Sequence, residues 1–208
     1  MARTGRRPGK PGTREAVLDA ARRLFAARGY DGATVRDLAR AAGVDPALVH
    51  HYFGTKQQLF LAVVGTPVDP ADFVPRVTGG GLAQVPERLV RTFLSVWDDP
   101  VSGPAAVAVL RSSLHDEGTA RLLKEFLSTQ VLRRALAQLA PAQLGLAPAE
   151  APLRSALIVS QMLGLAVARY VLVLEPLATA PAGTLVAAVA PTIRRYLTEP
   201  LATIPAAV

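Results

Sequence analysis

Apolar residues in this chain recur every three or four positions, and no stretch sustains the two-residue alternation of a half-buried strand. The pattern predicts an all-α protein. Val17, Ala21, Leu24 and Phe25 form the inward stripe of a first helix that opens at Thr13 and closes at Gly29. Leu38, Ala39 and Ala42 share one face of a second helix, over about 35–42. A third is expected over about 46–53, with Val49 and Phe53 inward. Leu59, Phe60, Val63 and Val64 give a fourth, over about 56–65, its buried side. Five more helical patterns span about 84–98, 103–115, 117–139, 150–174 and 181–197. Pro141, Pro148 and Pro176 punctuate them, and Pro191 is expected to kink the last.

The residues between the early helices carry specific turn chemistry. Thr34 can cap the second helix, with Asp37 three residues on to complement its exposed N–H groups. Gly43 suits a sharp inter-helix turn, and Asp45-Pro46 restarts the chain as N-cap and first helical residue. Gly54 ends the third helix, and Thr55-Lys56-Gln57-Gln58 is a capping box for the fourth. Residues 34–60, TVRDLARAAGVDPALVHHYFGTKQQLF, therefore read as a helix-turn-helix whose second helix can enter a DNA major groove.

The segment Thr66–Gly81 holds three prolines and the run Gly79-Gly80-Gly81. It reads as a connection with one short helix after Asp69-Pro70. No Gly-Lys-Ser/Thr follows the glycines, so they are not a phosphate loop. The expected organisation is a disordered basic arm over 1–12, a DNA-binding domain over 13–65, and a helical domain over 66–208.

Residues 156–168, ALIVSQMLGLAVA, are apolar nearly all round, so this helix needs cover on several sides. A membrane span competes, but Ser160, Gln161 and Arg169 interrupt the roughly 20 apolar residues it needs. Gly164, between Leu163 and Leu165, would admit another helix at close range. The last two helices are therefore expected to form a homodimer interface. A two-fold dimer presents two reading heads to two half-sites.

Charge adds to this picture. Residues 1–60 hold 11 Lys/Arg against 5 Asp/Glu, and residues 61–208 hold 12 against 11, so nearly all of the net +7 lies beside the reading helix. Such a concentration predicts salt-sensitive DNA binding. Arg3, Arg6, Arg7 and Lys10 sit in the N-terminal arm, which either contacts phosphates and the minor groove or only solubilises the chain. Half of the 208 residues are apolar and 5% aromatic, so Leu, Val and Ala do most of the filling. The absence of cysteine excludes disulfides and thiolate chemistry and is compatible with a cytoplasmic location. A signal peptide is not expected, because Asp19, Arg22 and Arg23 break the only candidate apolar core.

Residues 13–60 closely resemble the N-terminal domain of the TetR (tetracycline-repressor) family of transcriptional regulators. The resemblance lies in LDAARRLFAARGYDGATVRDLARAAGV, a short reading helix ending in HYF, and a lysine at the head of the fourth helix. SQMLGLAVARYVLVLEPLA and VAPTIRRYL also look like the last two helices of an actinobacterial-type subgroup. The resemblance implies a homodimer on a palindromic operator, usually a repressor, released when a small molecule binds the C-terminal domain. By motif position it implies that Thr34 and Arg36 meet the backbone or a base edge. Pro46, Ala47, Leu48 and His50 then lie on the exposed side of the reading helix, and Tyr52 and Lys56 hold phosphates. The family commonly has an aromatic residue, often Tyr, where this chain has His50. Arg36 and His50 are left as the main candidates for direct readout, with apolar contact to thymine methyls and DNA shape beside them.

Candidate effector contacts are Phe93, Trp97, Arg111, His115, Phe126, Gln130, Gln161, Met162 and Tyr170, all on helices able to surround a cavity. An aromatic or methionine at helical spacing is equally a core residue. Arg111 and His115, one turn apart, can receive an anionic group or pair with Asp116, Glu117 or Glu125. The low polar content points to a largely apolar effector. No cofactor or metal is expected: His50 and His51 diverge by about 100° on a helix and cannot share an ion. An enzyme is not expected either, since GxSxG and HExxH are absent. The alternatives are a helical carrier or enzyme whose basic head binds DNA only non-specifically, and a DNA-coating protein without sequence preference.

Overall fold

A computed structural model describes residues 12–139 and 150–201, and those residues are all-α, with no strand among them. The basic arm lies outside the described residues. The helices are α1 (Thr13–Arg28), α2 (Val35–Ala42), α3 (Pro46–Phe53), α4 (Lys56–Val64), α5 (Pro70–Thr78), α6 (Val85–Trp97), α7 (Ser102–His115) and α8 (Glu117–Glu125). A π-helical stretch, Phe126–Leu132, leads into α9 (Arg133–Gln138). After the segment 140–149 come α10 (Ala151–Ala166), continued by a π-helical turn over Val167–Val171, and α11 (Ala182–Thr198). α11 runs through Pro191 as one element.

The chain divides into two compact units. The first comprises the residues up to Thr66 together with Ser113–Phe126, and the second comprises Pro67–Ser112 and the chain from Leu127 on. Where one boundary near residue 65 was expected, α8 returns to the first unit. Val17 and Phe25 of α1, Leu38 of α2, Val49 and Phe53 of α3, Leu59 and Phe60 of α4, and Leu122 of α8 are all buried there. Phe25 meets Phe60 edge-on with centroids 5.0 Å apart, and Tyr30 meets the same ring at 5.0 Å. Such pairs favour perpendicular rings because the edge of one is positive and the face of the other negative.

The second unit packs Val77, Val90, Leu94, Leu110, Leu165, Ile193 and Leu197 into one core. α10 lies against α6 and α11. The helix expected to run to about 174 ends at Val171, because Val173 takes a left-handed φ of 52°, a costly conformation for a β-branched residue. Ala151–Val171 is long and apolar enough to cross a membrane by length and composition, with 28% of its most apolar window buried in the fold. Its outward stripe is Leu153, Ala156, Ser160 and Gly164, all exposed.

Two arginines, Arg154 buried and Arg169 half-buried, fix the ends of these last helices. Arg154 is 3% exposed, and its Nη1 donates to the Tyr196 and Glu199 carbonyls at 2.7 and 2.8 Å, closing the C-terminus of α11. Its Nε and Nη2 donate to Glu150 Oε2 at 3.0 and 2.7 Å. Arg169 Nη1 donates to the Leu177 and Ala180 carbonyls at 2.6 and 3.0 Å, holding the connection between α10 and α11.

Candidate functional site

The helix-turn-helix is built from its caps. The Thr34 hydroxyl accepts from the Asp37 N–H at 3.1 Å, and Asp37 Oδ2 accepts from the Thr34 N–H at 3.3 Å. That box starts α2. The Thr34 hydroxyl also donates to Asp37 Oδ2, and this bond first, with the Thr34 N–H second, holds the Asp37 carboxyl below the usual carboxylate range. Gly43 ends α2 at φ 66°, a left-handed turn open to glycine at no steric cost. Asp45 Oδ1 then accepts from the Ala47 N–H at 2.7 Å, with Pro46 in the first helical position, and α3 begins. Thr55 and Gln58 form the matching box at the head of α4.

This geometry sorts the residues of α3 by side. Val49 and Phe53 face the core, at 2% and 8% exposure. Pro46, Ala47 and His50 are exposed, and Leu48 is half-buried. His50 Nδ1 lies 2.7 Å from the Gly54 carbonyl oxygen. A carbonyl can only accept, so Nδ1 carries a proton. The ring therefore closes the C-terminus of the reading helix as well as facing outward. Arg36 is exposed and makes no hydrogen bond or ion pair among the described residues. Thr34, by contrast, has its hydroxyl committed to the cap.

Two contacts escaped sequence reasoning. Lys56 Nζ stands 4.3 Å above the Tyr30 ring, which holds the ammonium at the head of α4. Arg14 lies 5.2 Å over the Phe53 ring at the opening of α1. The signal for both was an aromatic residue near a cation at the same end of the unit, legible only once the helices are packed. Tyr52 is half-buried, its ring 5.2 Å from that of His51.

The second unit holds a cavity of about 150 Å³. α5 contributes Phe73, Val74, Val77 and Thr78; α6 contributes Val85, Leu89 and Phe93. Leu127, Val131, Leu132, Ala135, Leu136 and Leu139 follow from the π-helical stretch and α9, and Ser155, Ile158, Val159, Met162 and Leu163 from α10. Leu197 of α11 completes the wall. No ionisable side chain is among them.

Of the nine candidate effector contacts, Phe93 and Met162 line this cavity. Trp97 instead stacks between Phe93 and Tyr170, with centroids at 5.1 and 5.3 Å. The Tyr170 hydroxyl donates to Asp98 Oδ1 at 2.8 Å, and burial first, this bond second, push its pKa well above the ordinary tyrosine value. Gln130 is buried and accepts from Arg134 Nη2 at 3.1 Å. Gln161 is half-buried, Arg111 and His115 are exposed, and Phe126 is buried in the first unit.

Two family models match the chain. Bacterial regulatory proteins of the tetR family match residues 17–63, and the tetracyclin repressor-like C-terminal domain matches residues 83–197, more than half of the chain. The chain belongs to the TetR family. Within the TetR family, the HTH-type transcriptional repressor AcnR of Corynebacterium efficiens is 42% identical over 73 residues, which is 35% of this chain and 38% of AcnR. The HTH-type transcriptional regulator BetI of Rhizobium meliloti is 47% identical over 55 residues, 26% of this chain and 27% of BetI. The chain thus spans well under half the length of the curated relatives it matches. A TetR-family regulator of known structure from Streptomyces coelicolor A3 is 39% identical, covering 94% of this chain and 99% of that one, with a TM-score of 0.43.

Proposed function

We propose that this TetR-family protein is a cytoplasmic repressor that binds a palindromic operator as a homodimer and leaves it when a small molecule occupies the second unit. The observation that carries the proposal is the sorting of the helix-turn-helix. α3 buries Val49 and Phe53 and presents Pro46, Ala47 and His50 outward, while Arg36 stands exposed at the head of α2 with no partner among the described residues. An arginine at a helix N-terminus opposes the helix dipole, so a phosphate or a guanine edge is its natural partner. The position of Lys56 over Tyr30 at the head of α4 supports a contact with a backbone phosphate.

Dimerisation is supported by the outward stripe of α10. Leu153, Ala156, Ser160 and Gly164 are exposed, and a Cβ built on Gly164 would meet nothing within 4 Å. A second copy related by a two-fold axis would cover that stripe and set two reading heads side by side. The apolar cavity supports effector binding. A thousandfold loss of operator affinity requires about 4 kcal/mol of differential effector binding between the two conformations. The sign of regulation follows the name of AcnR as a repressor.

Selection of binding sequences from a random duplex pool, with the full chain at moderate salt, tests the reading. A palindromic consensus is the expected outcome. Enrichment of no sequence by a folded protein would overturn it in favour of non-specific DNA coating.

A further inference from the structure

Ser155 and Thr78 are the two hydroxyl side chains in an otherwise hydrocarbon wall. Ser155 sits in the first two turns of α10, is 8% exposed, lines the cavity, and makes no hydrogen bond among the described residues. A hydroxyl on a cavity wall that has no partner in the fold keeps its hydrogen-bonding capacity for whatever enters the cavity. The other hydroxyl of the wall is already engaged: Thr78 Oγ1 lies 3.0 Å from the Val74 carbonyl oxygen and 2.5 Å from Gln138 Oε1. Ser155 is therefore the wall hydroxyl whose proton is uncommitted among the described residues.

The rest of the wall sets the other half of the specification. A charge placed there would have no counter-charge among the lining residues and would lose its hydration, a penalty that a neutral molecule avoids. A volume of about 150 Å³ is the scale of apolar cavities that take up benzene. We infer that the group bound in this cavity is neutral, has a compact apolar body about the size of one aromatic ring, and carries one hydroxyl or carbonyl oxygen that pairs with Ser155. This rests on reading the second unit as the effector-binding part. Ser155 then acts as a specificity-determining residue, because a ligand lacking the oxygen leaves the hydroxyl unpaired.

The test uses the full chain without DNA and three probes of similar size: phenol, toluene and benzoate, at neutral pH where only benzoate is charged. Binding is followed by calorimetry and by competition. Phenol is expected to bind, toluene to displace it from the same site, and benzoate not to bind. Ser155→Ala is expected to weaken phenol about fivefold, the size of one ordinary hydrogen bond, and to leave toluene unchanged or tighter. The inference is overturned if benzoate binds as well as phenol, if neither neutral probe binds, or if the two do not compete. Equal weakening of phenol and toluene by Ser155→Ala also overturns it, since that is a packing defect. A palindrome selected by a protein that takes up no probe would sink this inference alone. Probe uptake by a protein that selects no sequence would sink the operator reading alone.

Discussion

Glu125 Oε1 accepts a hydrogen bond from the backbone N–H of Tyr30 at 3.0 Å, although 95 residues separate the two in sequence. The carboxylate also packs against Gly29, where an added Cβ would stand 3.4 Å from the same oxygen. The end of α8 thereby closes the turn that follows α1. The same turn supplies Tyr30, which carries Lys56 on its ring and Phe60 at its edge. A hydrogen bond to a charged group contributes about 1.5–3 kcal/mol. Glu125→Ala is expected to lose about that much in urea denaturation, and Glu125→Gln about half of it. A Glu125→Ala protein as stable as the original would mean that water satisfies the Tyr30 N–H equally well.

Acid should weaken the start of α2 before it weakens the apolar core. The Asp37 carboxyl is held below its ordinary range by the Thr34 hydroxyl, then by the Thr34 N–H, with Arg40 and Arg28 adding attraction. A depressed folded-state value means that the contribution is present above the ordinary carboxylate range and lost as pH falls through the folded value. The stability difference between the original protein and Asp37→Asn should therefore be constant at neutral pH and shrink below about pH 4. Chemical denaturation at a series of pH values measures it, and a difference independent of pH would refute the assignment.

Replacing Arg36 separates base reading from backbone holding. Arg36→Ala is expected to cost about 1–3 kcal/mol on the selected operator and to relax preference at one base position. Lys56→Ala should weaken all sequences alike and reduce the slope of log affinity against log salt by about one phosphate contact. Titration of fluorescent duplexes at several salt concentrations gives both numbers. Uniform weakening by Arg36→Ala would demote it to a phosphate contact.

The early helices were legible because their limits are set by neighbours in sequence. Thr34, Asp45 and Thr55 bond to N–H groups two or three residues ahead, and Gly43 and Gly54 adopt positive φ at the matching C-termini. The expected limits of α2 and α3 match those observed. The return of α8 to the first unit was not legible. Leu122 announces a buried face by its spacing, but spacing does not say which surface buries it. Phe93 and Trp97 present the same difficulty, lying one turn apart on α6 and both reading as apolar wall. Packing alone puts Phe93 at the cavity and Trp97 into the stack with Tyr170. Ser155 was passed over because a serine in an apolar helix gives no sign of being unbonded.

Arg154 ties the two ends of the α10–α11 pair, so its removal should be costly. Truncation orphans two carbonyls at the end of α11 and leaves Glu150 without its partner. Breaking a buried pair costs about 3–5 kcal/mol. Glu150 is 44% exposed and can regain water, so the low end, about 3 kcal/mol, is expected for Arg154→Ala. Arg154→Lys should recover only part, because one ammonium cannot span the carboxylate and both carbonyls as the guanidinium fork does. Equal stability of Arg154→Ala and the original would show that the carbonyls find other donors.

Tyr170 should couple stability to alkaline pH. Its phenol is held neutral by burial first and by donation to Asp98 second, against the opposing pull of Arg169. The folded chain therefore keeps a proton that the unfolded chain gives up at the ordinary tyrosine value. A raised folded-state value places the full contribution below about pH 10 and removes it as pH climbs toward the folded value. The original protein should lose stability relative to Tyr170→Phe above about pH 10, and the two should run parallel below it. Trp97 is the single tryptophan of the chain and stacks on the Tyr170 ring at 5.3 Å, so its emission reports the unfolding directly. Curves that stay parallel through the alkaline range would mean that the phenol ionises in the folded state, and that Asp98 does not hold its proton.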